Sequence, residues 1–261
     1  MNRRAQLACA WCGPALGVLY FIGAMVMARV MPPWISADDT AQQVADMYVA
    51  HTDRIRIGMV LMIISMALIG PWGVSMAAQV RRREGAFPIL TYVQLTSIGA
   101  GVAVVLATCV MWMTAAFRPD TIDPEITQMC HTAGWFFFLC TWPTFTVWNI
   151  ALGAAILMDP DEGAVYPRWS GFLSIWAGLL YAPGALLIFF KHGAMSWTGL
   201  IGMWTPAVAF FAWLAVMCVL TLRNINRGLV YDPEQPATEQ PSAGAVPAFE
   251  SAGHLGQPER P

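Results

Sequence analysis

The chain has 261 residues, of which 57% are hydrophobic and 11% charged, well under the ~25% charge of soluble domains. Its net charge of −2 offers a nucleic acid nothing to hold, and no Gly-rich phosphate loop joins a strand to a helix, which excludes the usual nucleotide sites. Six runs free of Asp, Glu, Lys and Arg (5–28, 57–80, 85–117, 126–158, 169–190 and 192–222) consume most of its length. Each is long enough to cross a bilayer core as a helix.

The first span is expected over about 8–29. Its apolar run is longer than a signal-peptide core, so it reads as an uncleaved span behind Arg3 and Arg4. Cys9 and Cys12 open it. With no second Cys pair nearby, they read as small packing residues and not as a metal or redox motif.

Pro32 and Pro33 then break the chain. Ser36 reads as an N-cap followed by Asp38 and Asp39 in a first turn. Ala41, Val44, Met47, Tyr48 and His51 recur at helical spacing, which predicts a short amphipathic outer helix over about 37–51. The second and third spans are expected at 57–79 and 89–115. Asp123 and Pro124 carry an N-cap and first-position signature, so the fourth helix is expected to begin there and to span 135–157. The last spans are expected at 169–190 and 200–222. From Gly228 to Pro261 the chain turns rich in Pro, Gly, Ser, Gln and Glu, which predicts a disordered cytoplasmic tail. The fold class is therefore all-α: a six-transmembrane-helix bundle over residues 1–227.

Basic residues orient the spans. Arg3, Arg4, Arg81, Arg82, Arg83, Arg168, Arg223 and Arg227 fall at one set of ends, against Arg29, Arg54, Arg56, Arg118 and Lys191 at the other. The richer side is cytoplasmic by the positive-inside rule, which places both termini there in a bacterial inner membrane. Tryptophans near span ends (Trp11, Trp34, Trp135, Trp169, Trp197) read as an interfacial belt.

Chemistry is sparse inside the spans. Pro143, Pro183 and Pro206 fall at one depth, roughly 10–14 Å from the outer ends at 1.5 Å per residue. Each frees a carbonyl and bends its helix. With Trp142, Tyr181, Trp204 and Asn149 beside them, they outline a pocket for a hydrophobic molecule. Ion-driven transporters place ionisable groups inside spans, and here none lies at mid-depth. His51, His131 and His192 fall on the outer side, so His131 with Asp123 or Glu125 is the acid–base alternative at an outer mouth. None of these histidines has ligand spacing with another, so no metal or other cofactor is expected.

Leu16–Gly17–Val18–Leu19–Tyr20 in the first span, Asp38–Asp39 in the outer loop and Arg54–Ile55–Arg56–Ile57–Gly58 opening the second carry a resemblance. In layout the chain resembles a family of uncharacterised bacterial six-helix integral membrane proteins. That resemblance implies the topology and supplies no activity. The expected function is binding or translocation of a hydrophobic small molecule, alone or with partner membrane subunits. The alternative is a membrane enzyme acting on a lipophilic substrate. The expected surroundings are membrane lipid, with no nucleic-acid partner.

Overall fold

A computed structural model describes residues 3–81, 84, 87–159 and 165–227. The tail expected from Gly228 onward lies outside these residues, as do Arg82 and Arg83. Among the described residues there is no strand. The elements are α1 (Arg3–Tyr20), α2 (Ala41–Ala50), α3 (Thr52–Ala67), α4 (Ile69–Arg81), α5 (Ile89–Phe117), α6 (Pro124–Leu139), α7 (Trp142–Leu157), α8 (Arg168–Leu180) and α9 (Thr205–Asn226). They assemble into six helices long and apolar enough to cross a membrane: Arg3–Met27, Thr52–Arg81, Ile89–Phe117, Pro124–Leu157, Arg168–Ile188 and Gly193–Asn226. We number these spans 1 to 6. Each contains most of one expected span, and the fourth begins at Pro124 with Asp123 as its cap.

The spans form a closed ring. Span 1 packs on span 2, span 3 on spans 2 and 4, span 5 on spans 4 and 6, and α9 of span 6 returns to α1. Small residues set the closest crossings. A Cβ at Gly153 would stand 2.7 Å from the Gly171 carbonyl, and one at Gly23 would stand 2.8 Å from the Gly58 carbonyl. Such approaches let helix backbones meet in lipid, where no hydrophobic force drives them together.

One end of the ring, the cap side, gathers the loops at 28–51, 118–123 and 189–199. Gln128 Nε2 donates to the Asp39 carbonyl at 2.8 Å, and Trp197 Nε1 donates to the Ile35 carbonyl at 3.1 Å. The other end, the base side, is joined by Asn224 Nδ2 donating to Gln79 Oε1 at 3.2 Å and by Tyr166 hydrogen-bonding Thr221 at 2.9 Å.

Helix ends are satisfied by side chains. Glu84 accepts from the amides of Leu90 and Thr91 at the start of α5. Arg56 donates to the carbonyls of Ala116 and Phe117 at its end. These are groups that a helix cannot pair internally, and each capping charge suits the dipole end it faces.

The amphipathic helix is shorter than expected. It begins after Thr40, not after Ser36, because Thr40 and Gln43 form a reciprocal capping box. Asp38 and Asp39 therefore precede it. Asp39 instead accepts from the Ser36 amide at 2.7 Å.

The tryptophan belt also needs correction. Trp11 and Trp169 are exposed along the spans, whereas Trp135 and Trp197 are buried. Their rings stack at 5.7 Å and 5° inside the cap.

Candidate functional site

Among the described spans, only span 3 runs as one unbroken α-helix. Span 1 passes from α1 into a π-helical stretch, Phe21–Met27. Span 2 breaks at Leu68, between α3 and α4, and span 4 breaks at Cys140 and Thr141, between α6 and α7. Span 5 tightens after Tyr181 into 3-10 turns, Ala182–Ile188. Span 6 passes from a π-helical stretch, Leu200–Trp204, into α9. Proline accounts for much of this pattern. Pro143, Pro183 and Pro206 each lack the amide that would bond one turn back, and each sits in the first turn after its break. Pro71 stands in the same place after Leu68.

A cavity of about 100 Å³ lies on the ring axis at these breaks. Each break contributes a wall residue at the discontinuity or within two residues of it: Tyr20, Met66 with Ile69, Leu139 with Trp142, Tyr181, and Met203 with Pro206. Val105 represents the unbroken span, and Met31 enters from the cap-side loop. Tyr20 holds Met31 in place, its hydroxyl 3.6 Å from the thioether sulfur. The remaining wall is aromatic, from Phe138, Phe145, Phe210 and Phe211, with Ala207 among them. Walls from spans 1, 2, 3 and 5 are buried, whereas those from α7 and α9 keep partial exposure. The partly exposed part of the wall therefore lies on α7 and α9, the helices that flank α8.

The floor is a triad of indoles. Trp72, Trp148 and Trp213 are each fully buried and meet edge to face at 5.2–5.8 Å. Each lies three residues after a wall residue: Ile69, Phe145 and Phe210. The three helices that carry them run in the same direction, so a step of three residues moves all of them one turn toward the base. Trp213 donates to Ser174 Oγ at 2.9 Å, and the Trp72 indole nitrogen stands beside the Cys218 thiol. These rings fill the axis below the cavity and hold α7 and α9 apart.

Above the cavity, the cap is fastened by His131. Tyr48 of α2 meets His131 Nδ1 at 3.0 Å, and Trp135 Nε1 donates to His131 Nε2 at 3.1 Å. Trp112 Nε1 donates to the His131 carbonyl at 3.1 Å. Burial holds the Tyr48 hydroxyl well above its ordinary pKa, so it is a neutral phenol. At the rim, Asp38 faces His192 at 3.5 Å. Hydrogen bonding from Ser36, then from backbone, with the nearby imidazole adding to it, holds the Asp38 carboxyl below its usual range.

The expected site residues divide. Trp142 and Tyr181 line the cavity, with Pro206. Trp204 is half-buried at the π-to-α junction, and Asn149 is buried with its amide donating to the Phe145 carbonyl. Neither of these lines the cavity, and neither do Pro143 and Pro183. Asn149 faces the Tyr181 hydroxyl across the contact between α7 and the end of α8.

Of the acid–base trio, Asp123 accepts from the Glu125 amide as a helix cap and Glu125 points outward. His131 is buried two turns away, with both ring nitrogens taken by Tyr48 and Trp135. His51 packs against Trp34 at 3.7 Å. The outer histidines thus occupy three separate environments. Among the described residues no three His, Cys, Asp or Glu side chains gather as metal ligands.

Sequence reasoning missed Tyr20, Met31, Met66 and Phe210 as wall residues. A signal for three walls was present in the spacing of Ile69–Trp72, Phe145–Trp148 and Phe210–Trp213.

Six apolar spans closed into a ring around an axial cavity define a multi-pass membrane protein. Compared with protein-family models, curated proteins and solved structures, the chain matches none.

Proposed function

We propose that this protein binds a small lipophilic molecule in the axial cavity, taking it up from the membrane past the partly exposed walls on α7 and α9. The observation that carries the reading is the coincidence of the cavity with the breaks of five spans. Broken membrane helices recur where a bundle holds a substrate, because irregular backbone at that depth is tolerated around a cavity. π-helical turns likewise concentrate at functional sites.

The walls favour an apolar occupant. An engineered cavity of about 150 Å³ lined by Leu, Ile and Phe stays dry and takes benzene. At about 100 Å³, this cavity admits a ring edge or a chain end as it stands. Met31, Met66 and Met203 line it, and flexible thioethers can swing to admit more. The resident is therefore a terpenoid or quinone-like molecule that enters by its tail. With the arginine-rich base side facing the cytoplasm, the site lies in the outer half of a bacterial inner membrane.

Tryptophan emission of the purified protein, titrated with a monoterpene and a short-chain quinone, tests this reading. The expected result is a saturable change in the wild type. Ala207→Phe fills the cavity and should abolish the change without altering the helical circular dichroism signal. A wild type that responds to neither ligand, or an A207F variant that responds like it, would overturn the reading.

A further inference from the structure

We propose a second site, for a phosphate group, at the cap-side end of spans 1 and 2. Two guanidiniums converge there on one ring: Arg29 Cζ lies 5.5 Å and Arg54 Cζ 5.8 Å from the centre of the Trp34 indole. The two carbons are thus no more than about 11 Å from each other. Arg29 follows the π-helical end of span 1 with φ at +50°, a left-handed conformation that a branched or long side chain adopts only at a cost. Arg54 stands in the first turn of α3, and its Nη2 donates to the Val26 carbonyl at 2.9 Å. His51 supports the same indole from its edge, with ring centres 3.7 Å apart.

The charge of this pair is not balanced locally. Asp53, next to Arg54 in sequence, faces Arg56 at 3.6 Å. Asp38 faces His192, and Asp39 accepts from the Ser36 amide. Among the described residues no carboxylate stands within ion-pair distance of Arg29 or Arg54. Two like charges held on one ring at a membrane border repel one another, and an aromatic face offsets little of that repulsion. A phosphate offsets it directly, because its oxygens match the guanidinium fork and it can bridge two such forks. Both side chains are exposed and sit where lipid headgroups lie. The phosphate comes either from an anionic lipid or from the aqueous phase.

The test uses the full-length protein in detergent, with native mass spectrometry of bound phosphatidylglycerol against diacylglycerol of the same acyl chains. Each charge-assisted contact is worth about a tenfold change in affinity. The wild type should retain the phospholipid at least about tenfold better, and R29Q/R54Q should erase that preference. Arg118→Gln, at an exposed arginine on the same side, should leave it unchanged. Displacement by millimolar inorganic phosphate identifies an aqueous anion as the occupant, and resistance to it identifies the lipid headgroup. Equal retention of the two lipids, or an R29Q/R54Q variant that behaves like the wild type, overturns the site. If R29Q/R54Q does not fold, R29K/R54K keeps the charge and removes the fork. Undiminished preference in that variant also overturns the site. The result is independent of whether the axial cavity binds a ligand.

Discussion

Trp135 donates its indole N–H to Nε2 of His131 one helical turn earlier, at 3.1 Å. An indole nitrogen is a donor only, so Nε2 must be the accepting nitrogen of a neutral imidazole. The ring proton then sits on Nδ1 and is donated to Tyr48 Oη at 3.0 Å. Nitrogen-15 spectra of labelled histidine should show the Nδ1–H tautomer for His131. Tyr48→Phe would strand that N–H in a buried site and should cost about 1–3 kcal/mol in a denaturant melt. An unchanged melt would show that the cap is held by ring packing alone.

Two glycines on adjacent spans should respond oppositely to alanine. A Cβ at Gly134 would stand 2.3 Å from Trp112 Nε1, whose indole is fixed by its bond to the His131 carbonyl. Gly134→Ala should therefore lower stability by about 1–3 kcal/mol through overpacking. Gly99 has no atom within 4 Å of a built Cβ. Gly99→Ala should be neutral, or stabilise by up to ~1 kcal/mol through helix propensity. Thermal melts of both variants in one detergent make the comparison.

The floor of the cavity is open to a gain-of-volume test. Trp148→Ala removes one of the three indoles and should cost about 3–5 kcal/mol, the usual range for a buried aromatic. The vacated space adjoins the axial cavity. The variant should bind bulkier lipophiles than the wild type, read as a shift in the largest ligand that changes tryptophan emission. Trp213→Phe keeps the ring contact and loses the bond to Ser174. It should cost about 1 kcal/mol and leave ligand size unchanged.

The outer loop gives a pH-dependent prediction. Hydrogen bonding holds the Asp38 carboxyl below its usual range, so its charged form persists when ordinary carboxylates begin to protonate. The contribution is present at neutral pH and is lost only as pH falls through that lowered value. Amide exchange in 36–40 should stay slow through the ordinary carboxylate range and quicken below it. Asp38→Asn should show the quicker exchange already at neutral pH.

The spans were legible because lipid excludes charge, and a charge-free run of twenty-odd residues has few other readings. The Asp123–Pro124 start was legible because capping is local chemistry. The start of α2 lies four residues beyond the expected one, since Ser36 and Thr40 are both good caps and only the Gln43 partner decides between them. The pocket was half legible. Prolines marked the depth of the breaks, but which aromatic turns toward the axis depends on helix rotation. Trp204 and Asn149 turn elsewhere, while Tyr20 and Phe211 turn inward and meet at 4.9 Å. Trp135 and Trp197 were read as lipid anchors because their pairing joins segments far apart in sequence.

Span 3 is capped at both ends by charged side chains from other segments, and its α-helix continues from Ile89 to Phe117 without interruption. It carries no break of the kind that interrupts its five neighbours. If the axial space swells or shrinks when a ligand enters, span 3 is expected to act as the fixed post, with the cap-side halves of the other five spans moving about their own breaks. A pair of spin labels on span 3 would then keep its separation when ligand is added, while a pair joining span 3 to the cap-side half of span 5 or 6 would not.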